Sequence, residues 1–161
     1  MGFLPNASAG EAPVVRILVV DDFEPFRHFL TSSLKRVAGW HVIGEASDGR
    51  VAIQEADKLR PDLILLDLGL PSLGGLEAAR QIRTLDPQSR IIFVSQELSP
   101  EIVQATLDVG ARGYVLKSDT GRELLTAVKT VLRGEVYVSS SLMRPGSTYE
   151  IKAHPLTVLS S

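Results

Sequence analysis

The chain contains no cysteine, which excludes disulfide staples and thiolate metal sites alike. It also lacks any apolar run near the ~20 residues that a helix needs to cross a bilayer. The opening Met1-Gly2-Phe3-Leu4-Pro5-Asn6 has neither a basic start nor a long apolar stretch, so it does not read as a secretory signal. No membrane partner is expected, and the expected location is cytoplasmic. Tryptophan occurs once, as Trp40, so a single side chain would dominate the intrinsic fluorescence. A basic cluster is missing too: 17 Lys and Arg stand against 19 Asp and Glu, for a formal net charge of -2, and the basic residues are spread along the chain. Gripping a phosphate backbone takes gathered Lys and Arg, so no direct DNA binding by this segment is expected. What is there is ordinary for one globular domain: 161 residues, 44% hydrophobic and 22% charged, enough to bury a core without staples.

Gly, Ala, Pro and Ser dominate the start, and residues 1–14 read as a disordered leader. Short apolar runs then alternate with helical patterns. Strands are expected at Arg16–Val20, Trp40–Ala46, Leu63–Asp67, Arg90–Ser95 and Gly113–Leu116. Between them, Phe26, Phe29, Leu30, Leu34 and Val37 share one helical face, Ala52, Ala56 and Leu59 a second, and Leu76, Ala79 and Ile82 a third. Ser99-Pro100-Glu101 has the form of a helix start, and Leu124, Leu125, Val128, Val131 and Leu132 stripe the last helix. The Leu/Ile run before Asp67 is of the kind buried on both sides. Five strands alternating with five helices imply an α/β fold, a parallel sheet covered on both faces.

In such a sheet ligands bind at the carboxyl ends of the strands. The first strand runs into Asp21-Asp22, the third into Asp67, the fourth into Ser95, and Lys117 follows the fifth. Three carboxylates gathered at one edge resist ionising together. A hard cation such as Mg²⁺, which takes oxygen ligands, relieves that repulsion. With Lys117 as a second positive charge and Ser95 as a donor, these are the parts of a phosphoryl-transfer site, and Asp67 can serve as its nucleophile. Taken singly, each residue has a plainer reading. Asp21 or Asp22 could cap the next helix, and Lys117 could be a solvated charge.

The stretches Ile17-Leu18-Val19-Val20-Asp21-Asp22, Leu65-Leu66-Asp67-Leu68-Gly69-Leu70-Pro71 with Gly74-Gly75-Leu76-Glu77, Val94-Ser95, and Gly110 to Ser118 together resemble the receiver domain of bacterial two-component response regulators, over about residues 15–140. The resemblance implies a flavodoxin-like (CheY-like) five-stranded sheet in the order 2-1-3-4-5, flanked by five helices. It also implies a signalling module, not an enzyme in the ordinary sense, that promotes its own phosphorylation and dephosphorylation. The expected phosphoryl donor is a sensor histidine kinase. On this likeness Asp67 is the phosphoacceptor and Asp22 a direct Mg²⁺ ligand, with Asp21 acting in an outer layer or through water. The Gly69 backbone carbonyl completes the protein's metal ligands. Ser95 is the switch hydroxyl, Tyr114 an aromatic switch that swings inward, and Lys117 the partner of a phosphoryl oxygen. A homodimer on phosphorylation is the expected consequence.

This chain departs from the common pattern at three places. Gln96 stands where a small residue often follows the switch hydroxyl, Ser118 where proline often follows the lysine, and Gly69 offers no shielding side chain, while Glu97 is a candidate to contact the phosphoryl group or its attacking water. With Ser118 a trans bond is expected, since the cis form costs ~3 kcal/mol.

Val131 to Ser139 resembles the end of receivers in the NarL/FixJ (LuxR-type) subfamily, so the receiver is assigned to 15–139. Residues 140–161, with Pro145, Gly146 and Pro155, read as a linker toward a helix-turn-helix DNA-binding domain that is not present in this chain. Transcriptional control through that absent output domain is the expected role, with a stand-alone receiver acting by protein–protein interaction as the alternative. A metal-dependent phosphohydrolase is disfavoured because Leu68 and Gly69 follow Asp67 where that class has Asp-x-Asp. A flavin or nucleotide site is disfavoured because the turn Asp21-Asp22-Phe23-Glu24 is acidic and has no glycine.

Overall fold

Strict alternation along the strands sorts the apolar residues between two layers. The computed structural model describes residues 13–143. Its strands are β1 (Val15–Val20), β2 (Trp40–Ala46), β3 (Leu63–Leu66), β4 (Arg90–Ser95), β5 (Gly113–Leu116) and β6 (Tyr137–Val138). All pair in parallel, in the order β2-β1-β3-β4-β5-β6. The helices are α1 (Glu24–Leu34), α2 (Gly49–Leu59), α3 (Gly75–Leu85), α4 (Pro100–Asp108) and α5 (Thr120–Leu132). On one face Ile17, Val19, Leu65, Ile92, Val94 and Val115 pack against Leu30 and Leu34 of α1 and Leu124, Val128 and Val131 of α5. On the other, Leu18, Val20, Ile64, Leu66, Phe93 and Leu116 meet Ala52 and Ala56 of α2, Ala79 and Ile82 of α3 and Val103 of α4. All four residues of β3 are fully buried, because both faces are covered there. Each such aliphatic side chain contributes about 1.5–3 kcal/mol through burial.

The doubly wound α/β fold read from the sequence is the one observed, in the same strand order, with a sixth strand added at the edge. Tyr137–Val138 is too short to show a period, so the sequence carries a signal for only five strands. The position of β6 is unusual in a second way. The crossovers through α2, α3 and α4 step across the sheet in one direction on one face, and α1 steps the other way on the opposite face. All four therefore share a hand. The connection through α5 continues outward to β6 but lies on the α1 face, so it has the opposite hand, a rare arrangement. Two residues of ladder would be weak on their own, and side chains reinforce them. The Ser139 hydroxyl accepts from the Leu116 amide (2.8 Å). Glu123 of α5 accepts from the Tyr137 hydroxyl (2.6 Å), the Ser140 amide (3.0 Å) and the Ser140 hydroxyl.

Other boundaries shift slightly. The first helix ends at Leu34, short of Val37, and Phe29 is 39% exposed rather than part of the core stripe, lying instead 5.8 Å from the Phe26 ring, centroid to centroid. Ser99 and Asp48 cap α4 and α2, accepting from Ile102 and Val51 amides. Packing also runs past residue 139, where a linker was expected to start: Ser140–Leu142 form a 3-10 turn that buries Leu142 in the core. The expected leader up to residue 12 and the tail from residue 144 lie outside the described residues. No helix among the described residues is long and apolar enough to cross a membrane.

Candidate phosphoacceptor and metal site

The sheet order reverses at β1, which has β2 on one side and β3 on the other. Chain segments leaving β1 and β3 diverge there and open a crevice at the carboxyl edge. Ladder bonds continue one residue beyond each strand: the Asp21 amide donates to Ala46 (3.1 Å) and the Asp67 amide to Val20 (3.1 Å). Both aspartates are thus held in register by the sheet. Asp21 is fully buried, and its Oδ1 accepts from the Phe23 amide (2.9 Å), turning the chain into α1. That helix has no side-chain cap, so neither Asp21 nor Asp22 serves the plainer capping role. Asp22 is exposed, and its carboxylate has no hydrogen-bond or ion-pair partner among the described residues. One oxygen from each of Asp21, Asp22 and Asp67 lies within 4.8 Å of the others.

Lys117 is held between two of these carboxylates. It opens a 3-10 turn directly after β5 and places Nζ 2.9 Å from Asp21 Oδ2 and 3.4 Å from Asp67 Oδ2. The first approach is an ion pair rather than a well-aligned hydrogen bond, since Asp21 Oδ2 otherwise has no partner. The ammonium also sits 4.8 Å from the centroid of the Phe26 ring. Burial pulls the lysine's pKa down, but bonding to Asp21 and the charges of Asp67 and Asp21 outweigh it, and the net shift is upward. Asp67 is raised above the usual carboxylate range, by burial first and the Asp21 charge second, against the opposing pull of Lys117 and the Gly69 amide. The peptide bond between Lys117 and Ser118 is trans, as expected.

Three carboxylates around one ammonium leave an excess of negative charge on hard oxygen donors, which suits a divalent cation such as Mg²⁺. Besides Asp21, Asp22 and Asp67, the Gly69 carbonyl is available, as it accepts no hydrogen bond among the described residues. Space over this loop is open: a Cβ built on Gly69 would meet nothing within 4 Å. Behind it the packing is tight. A Cβ on Gly75, the first residue of α3, would come 2.1 Å from the Asp67 carbonyl oxygen, so only glycine lets α3 start directly behind Asp67.

Ser95, Asp22, Asp67 and Lys117 line one recess of about 1040 Å³, whose mouth is bordered by the exposed Gln96 and Glu97. The Ser95 hydroxyl accepts from the Glu97 amide (3.1 Å). Tyr114 does not line this recess. Its side chain is fully buried, already inward, and its hydroxyl donates to the Glu97 carbonyl (2.8 Å). Burial raises the phenol's pKa most, with the Ser95 hydroxyl lowering it and the charges of Glu97 and Asp67 adding to the rise. The apolar wall of Phe23, Phe26, Leu68, Leu76 and Ile102 was not expected as part of the site. Phe26 and Leu76 were legible only as members of helix stripes.

Comparison with known proteins agrees with this geometry. The family model described as the response regulator receiver domain matches residues 17–129. The chain is similar to the response regulator GacA of Pseudomonas viridiflava, at 32% identity over 80% of this chain and 60% of that protein. It thus spans about 60% of the length of the curated relatives it matches. Among solved structures it is similar to a LuxR-family two-component response regulator from Aurantimonas sp. SI85-9A1 (TM-score 0.78, 32% identity, 81% of this chain and 93% of that one). It is also similar to the isolated REC domain of RcsB from Salmonella enterica serovar Typhimurium, solved with the phosphomimetic BeF3⁻ (TM-score 0.76, 25% identity, 81% and 97%). A parallel sheet in this order, an aspartate cluster at its switch point and a family match over most of the chain converge: the protein belongs to the response regulator receiver domain family, in its NarL/FixJ (LuxR-type) branch.

Proposed function

We propose that Asp67 accepts a phosphoryl group from a phosphohistidine of a sensor kinase, with Mg²⁺ held by Asp22, Asp67 and the Gly69 carbonyl and supported by Asp21. The observation that carries this reading is the buried Asp67 carboxylate, 3.4 Å from Lys117 Nζ, with oxygens of Asp21 and Asp22 beside it. An Asp67 oxygen attacks phosphorus, the bond from phosphorus to the donor's imidazole nitrogen breaks, and an acyl phosphate forms. Bound metal would supply charge neutralisation for the phosphoryl oxygens. Lys117 supplies a second positive charge, and the buried Ser95 hydroxyl gains an acceptor when the phosphoryl group arrives. The same pocket lets water attack the acyl phosphate later, so the module limits its own signal, and Glu97 at the mouth is placed to meet that water.

The Ser95 and Tyr114 hydroxyl groups are linked through Glu97, whose amide donates to one and whose carbonyl accepts from the other. Pulling Ser95 toward the phosphoryl group moves this link and reshapes the surface of α4, β5 and α5, with self-association as the output. Such coupling is a population shift, bounded by the preference of the phosphoryl group for one state. In the whole protein we infer a cytoplasmic transcription regulator, with DNA contacted through a helix-turn-helix domain rather than this segment.

The deciding experiment treats the chain with Mg²⁺ and a small-molecule phosphodonor and maps the modification by mass spectrometry. Addition at Asp67, absent without Mg²⁺ and absent in Asp67→Asn, is expected. Full modification of Asp67→Asn at another residue would remove the assignment.

A further inference from the structure

Arg83 at the end of α3, Arg90 at the start of β4 and Arg112 just before β5 converge with Ser89 on a recess of about 240 Å³ at the amino edge of the sheet. This is the edge opposite Asp67. None of the three guanidinium groups has a carboxylate within 4 Å among the described residues. Arg83 uses Nη1 on the Pro87 (2.7 Å) and Ser89 (3.3 Å) carbonyls, and Arg112 uses Nη1 on the Gly134 carbonyl (3.3 Å). Their remaining nitrogens and the whole Arg90 side chain bond to nothing described. The Ser89 hydroxyl is buried, at 1% residue exposure, and has no hydrogen-bond partner.

These arginines are half-buried, and local packing holds one of them in place. Gly110, with φ of 104°, lies under Arg83, and a Cβ there would come 2.7 Å from its Nε. The bare backbone is what lets this guanidinium approach the turn so closely. Burial, then the like charges of Arg83 and Arg90, lowers the Arg112 pKa from its ordinary value. Three cations gathered without a counter-ion among the described residues, in a chain of formal net charge -2, invite an anion. The volume is below the ~300 Å³ at which pockets begin to hold drug-sized ligands, so it suits one phosphoryl group rather than a nucleotide.

We propose that this recess binds a phosphate dianion, free or as the end of a phosphomonoester, through Arg83, Arg90 and Arg112, with the Ser89 hydroxyl as a further donor. Planar guanidinium groups bond such oxygens in pairs, a geometry that lysine could not copy. The site is separate from the acceptor edge and does not depend on the reading of Asp67.

The test is a titration of the magnesium-free full chain with sodium phosphate, followed by the amide NMR signals of Ser89, Arg90 and Arg112, with sodium chloride at matched ionic strength as control. Saturable shifts with phosphate alone are expected. Arg90→Gln, which removes a side chain that bonds to nothing in the fold, is expected to weaken binding about tenfold, and Arg83→Gln at least as much. Phenyl phosphate binding as tightly as phosphate would assign the site to phosphomonoesters. Binding of phosphate alone would assign it to the free anion. Shifts that chloride reproduces, or affinity unchanged in both variants, would overturn the proposal.

Discussion

The two edges of the sheet are electrostatic opposites. At the carboxyl edge three carboxylates crowd one ammonium, and at the amino edge three guanidinium groups have no carboxylate within 4 Å among the described residues. The same strands serve both, since β4 begins at Arg90 and ends at Ser95, while β5 lies between Arg112 and Lys117. The contrast teaches that net charge says little about a molecule this size. A total of -2 conceals an excess of one sign at each end. Charge excess at a strand terminus, where the backbone is rigid, favours a counter-ion there.

The largest expected effect sharpens the acidic side of this comparison. Lys117→Ala should slow phosphorylation of Asp67 by roughly 10²-fold, because it removes a fixed positive charge from the transferring group. Magnesium affinity should hold or rise in the same variant, since a competing cation has left the cluster. Rates from a radiolabelled phosphodonor and a magnesium titration separate the two. Loss of metal binding along with the rate would mean that Lys117 orders the cluster rather than stabilising the transfer.

Next in size is a change in stability at the strap on α5, one turn from where that helix leaves the carboxyl edge. Glu123→Ala strips three hydrogen bonds from the strap formed by Tyr137 and Ser140, at a cost of about 2 kcal/mol. The sign with pH follows from the carboxyl group. Burial alone would raise its pKa, but the Ser140 hydroxyl, the Tyr137 hydroxyl and the Ser140 amide outweigh that, and the folded value lies below the usual range. Stability from this group is therefore complete above the unfolded carboxylate value, about 4.3, and is lost as pH falls through the lower folded value. Urea unfolding at neutral pH and again near pH 3 should show the wild-type advantage shrinking. An equal gap at both pH values would deny the strap its charge.

How much of this was legible beforehand depended on distance along the chain. Asp21, Asp67, Ser95 and Lys117 each follow an apolar run, so strand ends could be located from the runs themselves and the carboxyl edge assembled from the sequence. Arg83, Arg90 and Arg112 carry no such marker. They meet because the turn after α3 and the bare backbone of Gly110 bring a helix end against two strand starts, and a scan for clustered basic residues passes over them. Glu123 reads as a surface charge on α5 and is buried only because β6 folds over it. That strand was itself hidden by its length and by a crossover of the opposite hand. Tyr114 was placed on the right strand, but nothing in its neighbours indicated that its ring already fills the interior.

A smaller effect tests whether the acidic edge is truly uncompensated. Asp67 is raised by burial and by Asp21, so its native form binds a proton more readily than the unfolded chain does. Stability from this group is therefore greatest below the unfolded value and falls as pH rises through the folded one. At neutral pH without metal, Asp67→Asn should raise the Tm by roughly 3 °C, equivalent to about 1 kcal/mol. Magnesium should stabilise the wild type and narrow the gap. Calorimetry in EDTA and in excess Mg²⁺ measures both. A variant that melts lower than wild type in EDTA would show that Lys117 already balances the cluster.

The smallest expected effect is a null one, and it fixes the distance scale of the comparison. Trp40 begins β2 at the amino edge, pairs with Val15 and is 8% exposed on the α1 and α5 face. The acidic cluster lies beyond the other end of its neighbour β1, and the seven-residue β2 alone spans ~20 Å at about 3.3 Å per residue. The arginine recess shares its edge of the sheet, but β4 is three strands away from β2, about 14 Å at 4.8 Å per strand. Neither ligand can touch the indole. Emission should therefore stay nearly constant when Mg²⁺ saturates one edge and when phosphate saturates the other, even as NMR or calorimetry reports both events. A large saturable quench by either would mean that binding reaches the core through the sheet, and that the two edges are coupled rather than independent.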